Sequence, residues 1–580
     1  MKILEKRPEC YDARIGSHAR SIKEEIVKKY VRPGMSMLDI GCGTGALLEM
    51  ATRVGAHASG IDIAGNMLAA ARKRMEEHSL GDTVILHHTP AGVVEMDGLF
   101  QDKSFDLVTS ILVISELYED ELRWMLREIR RILKPDGMLV LAGEVQPVGL
   151  VKRVVYSTLR MPMAFVTHLF SRTGTKPVEN LAGKLIDSGF EVCHEKRSFL
   201  GSFTTMVARV SDNLSNDQVD TIPPRNPQDD FSFIKSVWDY AGRWFSNPVE
   251  PGLRLIGSPD ENSPVVVTSN YHLTLRLLEK SLAGESCYLL VAPANGINVW
   301  CAACGGELTT HSLIRVIKTS DIGRRVDHKR LVLPQLIAPG VDGTLLKEET
   351  GWKVVFGPVY ARDLSAFLKN NCRKTPEQCI ARFGLKFRLE MLFSMNFVVW
   401  ALIALITAFI RPKRLLTVSG VYWGSGATLY TGYPFIPGRN GLAKAFFVSL
   451  LECVAIISAS KGPYRNSHRS SLGWMAGATL MNMWFGFDLQ GIASGYSSDP
   501  AAWFSTLGVR SLGRFSFAAR KTLTRNNLKC NNCRICMGVC PKAVFALANN
   551  GEDVLLEKIE ECFACGACIM QCPQDALSLV

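Results

Sequence analysis

From residue 36 onward, short apolar runs alternate with amphipathic stretches. MSMLDIG, FDLVTSILVI and GMLVLAGEV have the length and composition of strands, while Glu121 to Leu133 places its apolar residues at helical spacing. The alternation predicts an α/β domain over residues 1–210. A polar, proline-bearing stretch, SDNLSNDQVDTIPPRNPQDD, then breaks the pattern, and 211–254 is expected to be a linker. A second alternating series (PVVVTSNYHL, SCYLLVAP, HKRLVLPQL, KVVFGPV) predicts another α/β domain over 255–370. Beyond it polarity disappears. Met391 to Ile410 is 20 residues without a charge, a length that as a helix matches a hydrocarbon core of ~30 Å. Leu415 to Ile436, Leu442 to Ser458 and Ser471 to Phe487 continue the apolar character, the second of these interrupted by Lys444 and Glu452. An α-helical membrane domain of about four spans is therefore expected over 385–490. A Gly-, Ser- and Arg-rich linker over 491–525 leads to a last domain over 526–580.

Composition narrows the classes. A chain of 580 residues is too long for one core, and 47% hydrophobic with 21% charged residues excludes wholesale disorder and a fibrous protein. Lys and Arg number 66 against 55 Asp and Glu, and the surplus of 11 is not gathered into a basic arm, so nucleic acid is not an expected partner. The first thirty residues hold no apolar run, so no cleavable export signal is expected and the 17 cysteines are read as reduced thiols. Soluble domains then face the cytoplasm from both ends of a multi-pass segment in the cytoplasmic membrane. That arrangement requires an even number of spans.

Met37-Leu-Asp-Ile-Gly-Cys-Gly-Thr-Gly45 is a strand running into a three-glycine turn and a helix, and glycines there let a ligand approach the backbone. Asp62 closes the next apolar stretch, where an acid accepts hydrogen bonds from a ribose diol. A nicotinamide dehydrogenase is the competing reading of such a pair. With Ser104-Phe105-Asp106-Leu107-Val108 and Leu133-Lys134-Pro135-Asp136-Gly137 added, residues 1–210 resemble class I S-adenosylmethionine methyltransferases of Rossmann-like fold. The resemblance implies that Asp39, Gly41, Gly43 and Gly45 wrap the amino acid end of S-adenosylmethionine and that Asp62 holds its ribose. After the third strand this chain reads His87-His88-Thr89-Pro90 where that family has an acid, and no adenine ligand is assigned.

Eight of the cysteines lie between Cys530 and Cys572. Cys530-x2-Cys533-x2-Cys536-x3-Cys540-Pro541 recurs as Cys562-x2-Cys565-x2-Cys568-x3-Cys572-Pro573, and in this spacing the fourth cysteine of each run ligates the other run's cluster. Cys530, Cys533, Cys536 and Cys572 are expected to hold one [4Fe-4S] cluster, and Cys562, Cys565, Cys568 and Cys540 a second. A zinc ribbon uses pairs rather than quartets. The segment resembles bacterial two-cluster ferredoxins of α+β fold, which transfer single electrons at low potential.

Asn298-Val299-Trp300-Cys301-Ala302-Ala303 follows the strand Cys287 to Pro293 and opens a small-residue helix. On composition alone Cys301 is a buried apolar residue. With PVVVTSNYHLTLRLLEKSL, HKRLVLPQLIAPGV and GWKVVFGPVYARDLSAFL beside it, however, the stretch resembles the corrinoid-binding domain of the mercury-methylating corrinoid protein, whose partner is a two-cluster ferredoxin. The resemblance implies a cobalt corrinoid with Cys301 as axial ligand, Asn298 and Trp300 shaping the helix that presents it, and methyl transfer from a methyl donor to Hg(II) or another thiophilic metal or small-molecule acceptor. It also implies a low-potential electron donor that restores Co(I). The mercury family continues its motif with Gly-Lys where this chain has Cys304-Gly305, and its ferredoxin partner carries further terminal cysteines that are not found after Gln574. The alternative is a membrane iron–sulfur electron-transfer protein fused to an S-adenosylmethionine-dependent small-molecule methyltransferase.

Overall fold

The computed structural model describes residues 20–149, 151–158, 160, 176–211, 223–226, 230–241, 246–382, 384–437, 441–460, 468–494, 522–559, 562 and 564–580. Most of the linker expected over 491–525, and residues 212–222 of the one expected over 211–254, lie outside the described residues. Two compact units result, one built on a seven-stranded sheet, the other holding most of a five-stranded sheet, four long helices and the cysteine-rich end.

The first sheet begins with β1 (Ser36–Ile40), α1 (Ala46–Arg53), β2 (His57–Asp62), α2 (Gly65–Glu77), β3 (Val84–His88), β4 (Phe105–Ile111), α3 (Glu119–Ile132) and β5 (Leu133–Glu144), and ends with β6 (Phe190–Ser198) and β7 (Phe203–Val210). Its strand order is β3-β2-β1-β4-β5-β7-β6, with β1 to β5 parallel and β7 antiparallel to both of its neighbours. Met37, Leu107, Val140 and Val207 meet Leu47 and Ala51 in the core, which is why these strands are apolar runs rather than alternating ones. The order reverses between β1 and β4, and such a reversal leaves a crevice at the carboxyl ends of the strands.

A correction falls on 211–254. Within it the chain forms α4 (Phe233–Ala241), and β8 (Gly252–Ile256) starts the second sheet before residue 255. Two of its polar residues do not face solvent: Asp239 and Asn247 are buried and hydrogen-bonded to each other. The second sheet continues with β9 (Val265–Ser269), α5 (His272–Ser281), β10 (Cys287–Ala292), α6 (Val299–Gly305), β11 (Arg330–Leu333) and β12 (Lys353–Phe356). The order is β12-β11-β9-β10-β8, with β9 to β12 parallel, so this sheet reverses between β9 and β11. Val266, Leu289, Val291 and Val332 pack with Leu275, Leu278 and Phe367.

All four apolar stretches are helical: α7 (Leu385–Ile410), α8 (Leu415–Gly432), α9 (Gly441–Ser460) and α10 (His468–Ser494). Among the described residues α7 alone has both the length and the mean hydropathy, 2.2, to cross a membrane. The charges that interrupt α9 are satisfied among these helices. Glu452 accepts from Ser425 Oγ at 2.8 Å and Asn482 Nδ2 at 2.7 Å, and Lys444 donates to the Ile436 carbonyl at 2.9 Å. The last domain is two antiparallel strand pairs, β13 (Leu523–Arg525) with β16 (Leu577–Leu579) and β14 (Phe545–Leu547) with β15 (Val554–Leu556). Between them lie the short helices α11 (Ile535–Val539) and α12 (Ala567–Met570).

Candidate functional sites

The glycine turn joins β1 to α1 at the reversal point of the first sheet. Gly41, Gly43 and Gly45 have φ of +73°, +55° and +76°, which only glycine adopts without strain. A Cβ on Gly41 would stand 2.2 Å from Val113 Cγ2, whereas one on Gly43 would meet nothing within 4 Å, so the space over Gly43 is open to a ligand. Asp62, at the end of β2, folds back over the turn. Its Oδ2 accepts from Gly43 N at 2.8 Å and its Oδ1 from Ala64 N at 2.8 Å, leaving further lone pairs on both oxygens. Burial raises its pKa. Asp39 is buried, and burial pushes it up to about 6 against the hydrogen bond from Thr109 Oγ1 at 2.7 Å. Thr109 was not legible as a site residue, because it reaches Asp39 only through the pairing of β1 with β4. The five residues expected to hold S-adenosylmethionine are thus brought to one crevice.

At the second sheet, Asn298 caps α6 by accepting from Trp300 N at 3.0 Å, which fixes where the helix begins. Trp300 is buried, and Cys301, in the first turn, is half-buried and outside any disulfide. The turn that launches this helix is held by Asn270, a fully buried residue just past β9. Its Oδ1 accepts from Ala294 N at 2.8 Å and Gly296 N at 3.0 Å, and its Nδ2 donates to the Val249 carbonyl at 3.0 Å. Sequence reasoning missed Asn270, although an amide closing the run that opens with Val265, Val266 and Val267 was the available signal. The loop around Gly340 lies on α6 so closely that a Cβ there would be 2.8 Å from the Ala303 carbonyl. The half-buried Cys301 sulfur, on a helix that follows the carboxyl end of a parallel strand, is a soft donor that would suit a corrinoid cobalt.

The eight terminal cysteines gather in two cavities. One is lined by Cys530, Cys533, Cys536 and Cys572, the other by Cys540, Cys562, Cys565 and Cys568, so each takes three cysteines of one run and the fourth of the other. Residues at equivalent places in the two runs share left-handed backbone: Asn532 with Ala564, Arg534 with Gly566, Ala543 with Asp575. These turns aim N–H groups at sulfur, as from Ala564 to Cys562 Sγ at 3.4 Å and from Ala576 to Cys572 Sγ at 3.3 Å. Burial raises Cys536 and Cys565 to about 11 and lifts Cys562 and Cys568 as well, so the thiols need a metal's charge to ionise. Among the described residues no group of three His, Cys, Asp or Glu side chains is placed to hold a single metal ion. The donor set fits iron–sulfur clusters.

Within the second unit the cysteine-rich end rests on the domain that carries Cys301. Ala381 N donates to the Pro541 carbonyl at 2.8 Å, Lys374 Nζ to the Gly538 carbonyl at 2.6 Å and to Gln335 Oε1 at 2.8 Å, and Gln571 Nε2 to the Ala338 carbonyl at 2.9 Å. Burial lowers Lys374 to about 8. Ala338 shares an apolar cluster with Val539, Cys540 and Cys568, and Ala381 packs with Trp300.

Comparison with known proteins gives three separate matches. Residues 38–141 match a methyltransferase domain, 246–368 the CO dehydrogenase/acetyl-CoA synthase delta subunit, and 529–577 a 4Fe-4S dicluster domain. The acetyl-CoA decarbonylase/synthase complex subunit gamma of Methanopyrus kandleri is 41% identical over 123 residues, 21% of this chain and 26% of that protein. The corrinoid/iron-sulfur protein large subunit of Moorella thermoacetica is 34% identical over 125 residues, 21% of this chain and 28% of that protein. The matches thus span about a quarter of these curated relatives. Among solved structures, an S-adenosylmethionine dependent methyltransferase from Mesorhizobium loti is 19% identical, covering 33% of this chain and 98% of that one at a TM-score of 0.27. A methyltransferase domain, a domain like those of corrinoid and iron–sulfur proteins, and a 4Fe-4S domain are therefore fused in one chain.

Proposed function

We propose that this chain is a membrane-anchored methyltransferase that passes a methyl group by way of a cobalt corrinoid to Hg(II) or another thiophilic acceptor, with S-adenosylmethionine as methyl donor and two [4Fe-4S] clusters as the local electron source. The observation that carries the reading is the seating of the cysteine-rich end. Cys540 leads through the Pro541 carbonyl to Ala381, and Ala381 packs on Trp300, the neighbour of Cys301. Electrons arriving at the cysteine quartets are thereby delivered to the one domain whose relatives are named for a corrinoid.

When bound, a corrinoid supplies a cobalt centre that takes up a methyl group in its most reduced state and yields it to a soft electrophile. The chain's own residues do the rest. Asn298 and Asn270 fix the start of α6 and so the position of the Cys301 thiol. The Gly41–Gly45 turn and Asp62 bind and orient the methyl donor. Cys304, one turn beyond Cys301 and half-buried, is a second soft donor on the same helix. An external low-potential donor supplies the quartets.

Membrane anchoring rests on α7, whose most apolar window is only 17% buried and so unlike the core helix of a soluble domain. With α8, α9 and α10 crossing beside it, the number of spans is even, and the soluble domains and both flanks of the helical segment face the cytoplasm. The test is anaerobic incubation of the intact, cluster- and corrinoid-reconstituted protein with labelled S-adenosylmethionine and Hg(II). Labelled methylmercury together with a cobalt absorbance spectrum supports the proposal. Iron–sulfur absorption without corrinoid uptake returns the chain to the alternative of an electron-transfer protein fused to a small-molecule methyltransferase.

A further inference from the structure

The helix α4 is built inside out. Its acid, Asp239, is 0% exposed: Oδ2 pairs with His272 Nδ1 at 2.7 Å, and Oδ1 accepts from Asn247 Nδ2 at 2.9 Å. Lys235 Nζ donates to the Pro248 carbonyl at 3.1 Å, and Tyr240 lies under the Arg276 guanidinium of α5. The polar side of α4 is thus pinned to the domain that carries Cys301. The opposite side presents Phe233 at 83% and Ile234 at 78% exposure, with Val237 at 49% one turn on and Trp238 at 40% beside it. These positions form one helix face, and a helix on the surface of a soluble domain turns such a face inward.

Something apolar should cover that face, and its surroundings indicate what. In the second unit α4 packs against α7, the helix with the length and hydropathy to cross a membrane. The apolar surface of α7 also stays open, with Leu402, Phe409 and Ile410 exposed. Aromatic residues such as Trp238 and Tyr240 favour the boundary between headgroups and acyl chains. We propose that α4 is an interfacial helix whose Phe233, Ile234 and Val237 lie in the bilayer that α7 crosses. It thereby fastens the Cys301 domain to the membrane surface through the Asp239–His272 pair. The inference rests on the reading of α7 as a membrane span.

Photocrosslinking of the full-length chain in vesicles of phosphatidylethanolamine and phosphatidylglycerol separates the two. p-Benzoylphenylalanine is placed at Phe233 in one variant and at Phe409 of α7 in another, both exposed positions where an aromatic replaces an aromatic. After irradiation, lipid adducts are sought by mass spectrometry. Lipid adducts at both positions are the expected result. A lipid adduct at 409 with a protein adduct, or none, at 233 overturns the proposal and leaves α7 in the membrane. Lipid at neither position overturns the membrane reading and this inference with it.

Discussion

Asp39 shows how a buried carboxylate works against its own fold. Its pKa in the folded chain, about 6, lies above the ordinary 3.8, so between those values the folded chain keeps a proton that the unfolded chain has released. Stability contributed by this site therefore falls as pH rises from about 4 to about 6 and is level beyond. Asp39→Asn should raise the stability of the first unit at pH 7 by up to about 3 kcal/mol, with little gain near pH 4, while weakening S-adenosylmethionine binding. Thermal melts across that range and calorimetry at pH 7 check the two effects. Cys301 offers the opposite experiment. Cys301→Ala should abolish methyl transfer and the corrinoid's thiolate spectrum while leaving iron content unchanged, because Cys301 belongs to neither quartet. Undiminished transfer would make the cysteine structural.

At the scale of elements, each short helix of the cysteine-rich end carries one run's third cysteine, and the chain then crosses over to give its fourth to the other cavity. Cys572→Ser should accordingly perturb the cluster of Cys530, Cys533 and Cys536 rather than that of its own run. Electron paramagnetic resonance of the variant, with the signal of the second cluster retained, is the expected outcome. The long helices lend themselves to a topological test. Reporter fusions after Glu390 and after Lys529 should give the same cytoplasmic signal, since an even number of spans returns the chain to its starting side. Opposite signals would leave one of the four helices outside the bilayer.

For the molecule as a whole, Lys374 lies where the cysteine-rich end meets the domain that carries Cys301. It is a half-buried cation bonded to the Gly538 carbonyl, between the third and fourth cysteines of the first run. Lys374→Gln keeps a donor there but removes the charge, and should make the cluster potentials more negative by on the order of tens of millivolts. A redox titration followed by electron paramagnetic resonance measures it, and Lys374→Arg should restore the original value.

The sequence alone determined what depends on neighbours along the chain. Cysteine spacing set the two quartets, the three glycines and Asp62 marked the turn after β1, and the uncharged stretches became helices, because each of these patterns closes within a few dozen residues. Tertiary structure decided what depends on residues far apart in the chain. Thr109 reaches Asp39 across two paired strands, Asn270 holds a turn two dozen residues away, and Lys374 lies more than 150 residues from the carbonyl it binds. The segment 211–254 was read as a linker for the same reason: a polar side chain reads alike whether it meets water or a buried partner. An amphipathic pattern gives a helix two faces without saying which turns outward, and only the burial of Asp239 by His272 and Asn247 shows that α4 turns its apolar side out.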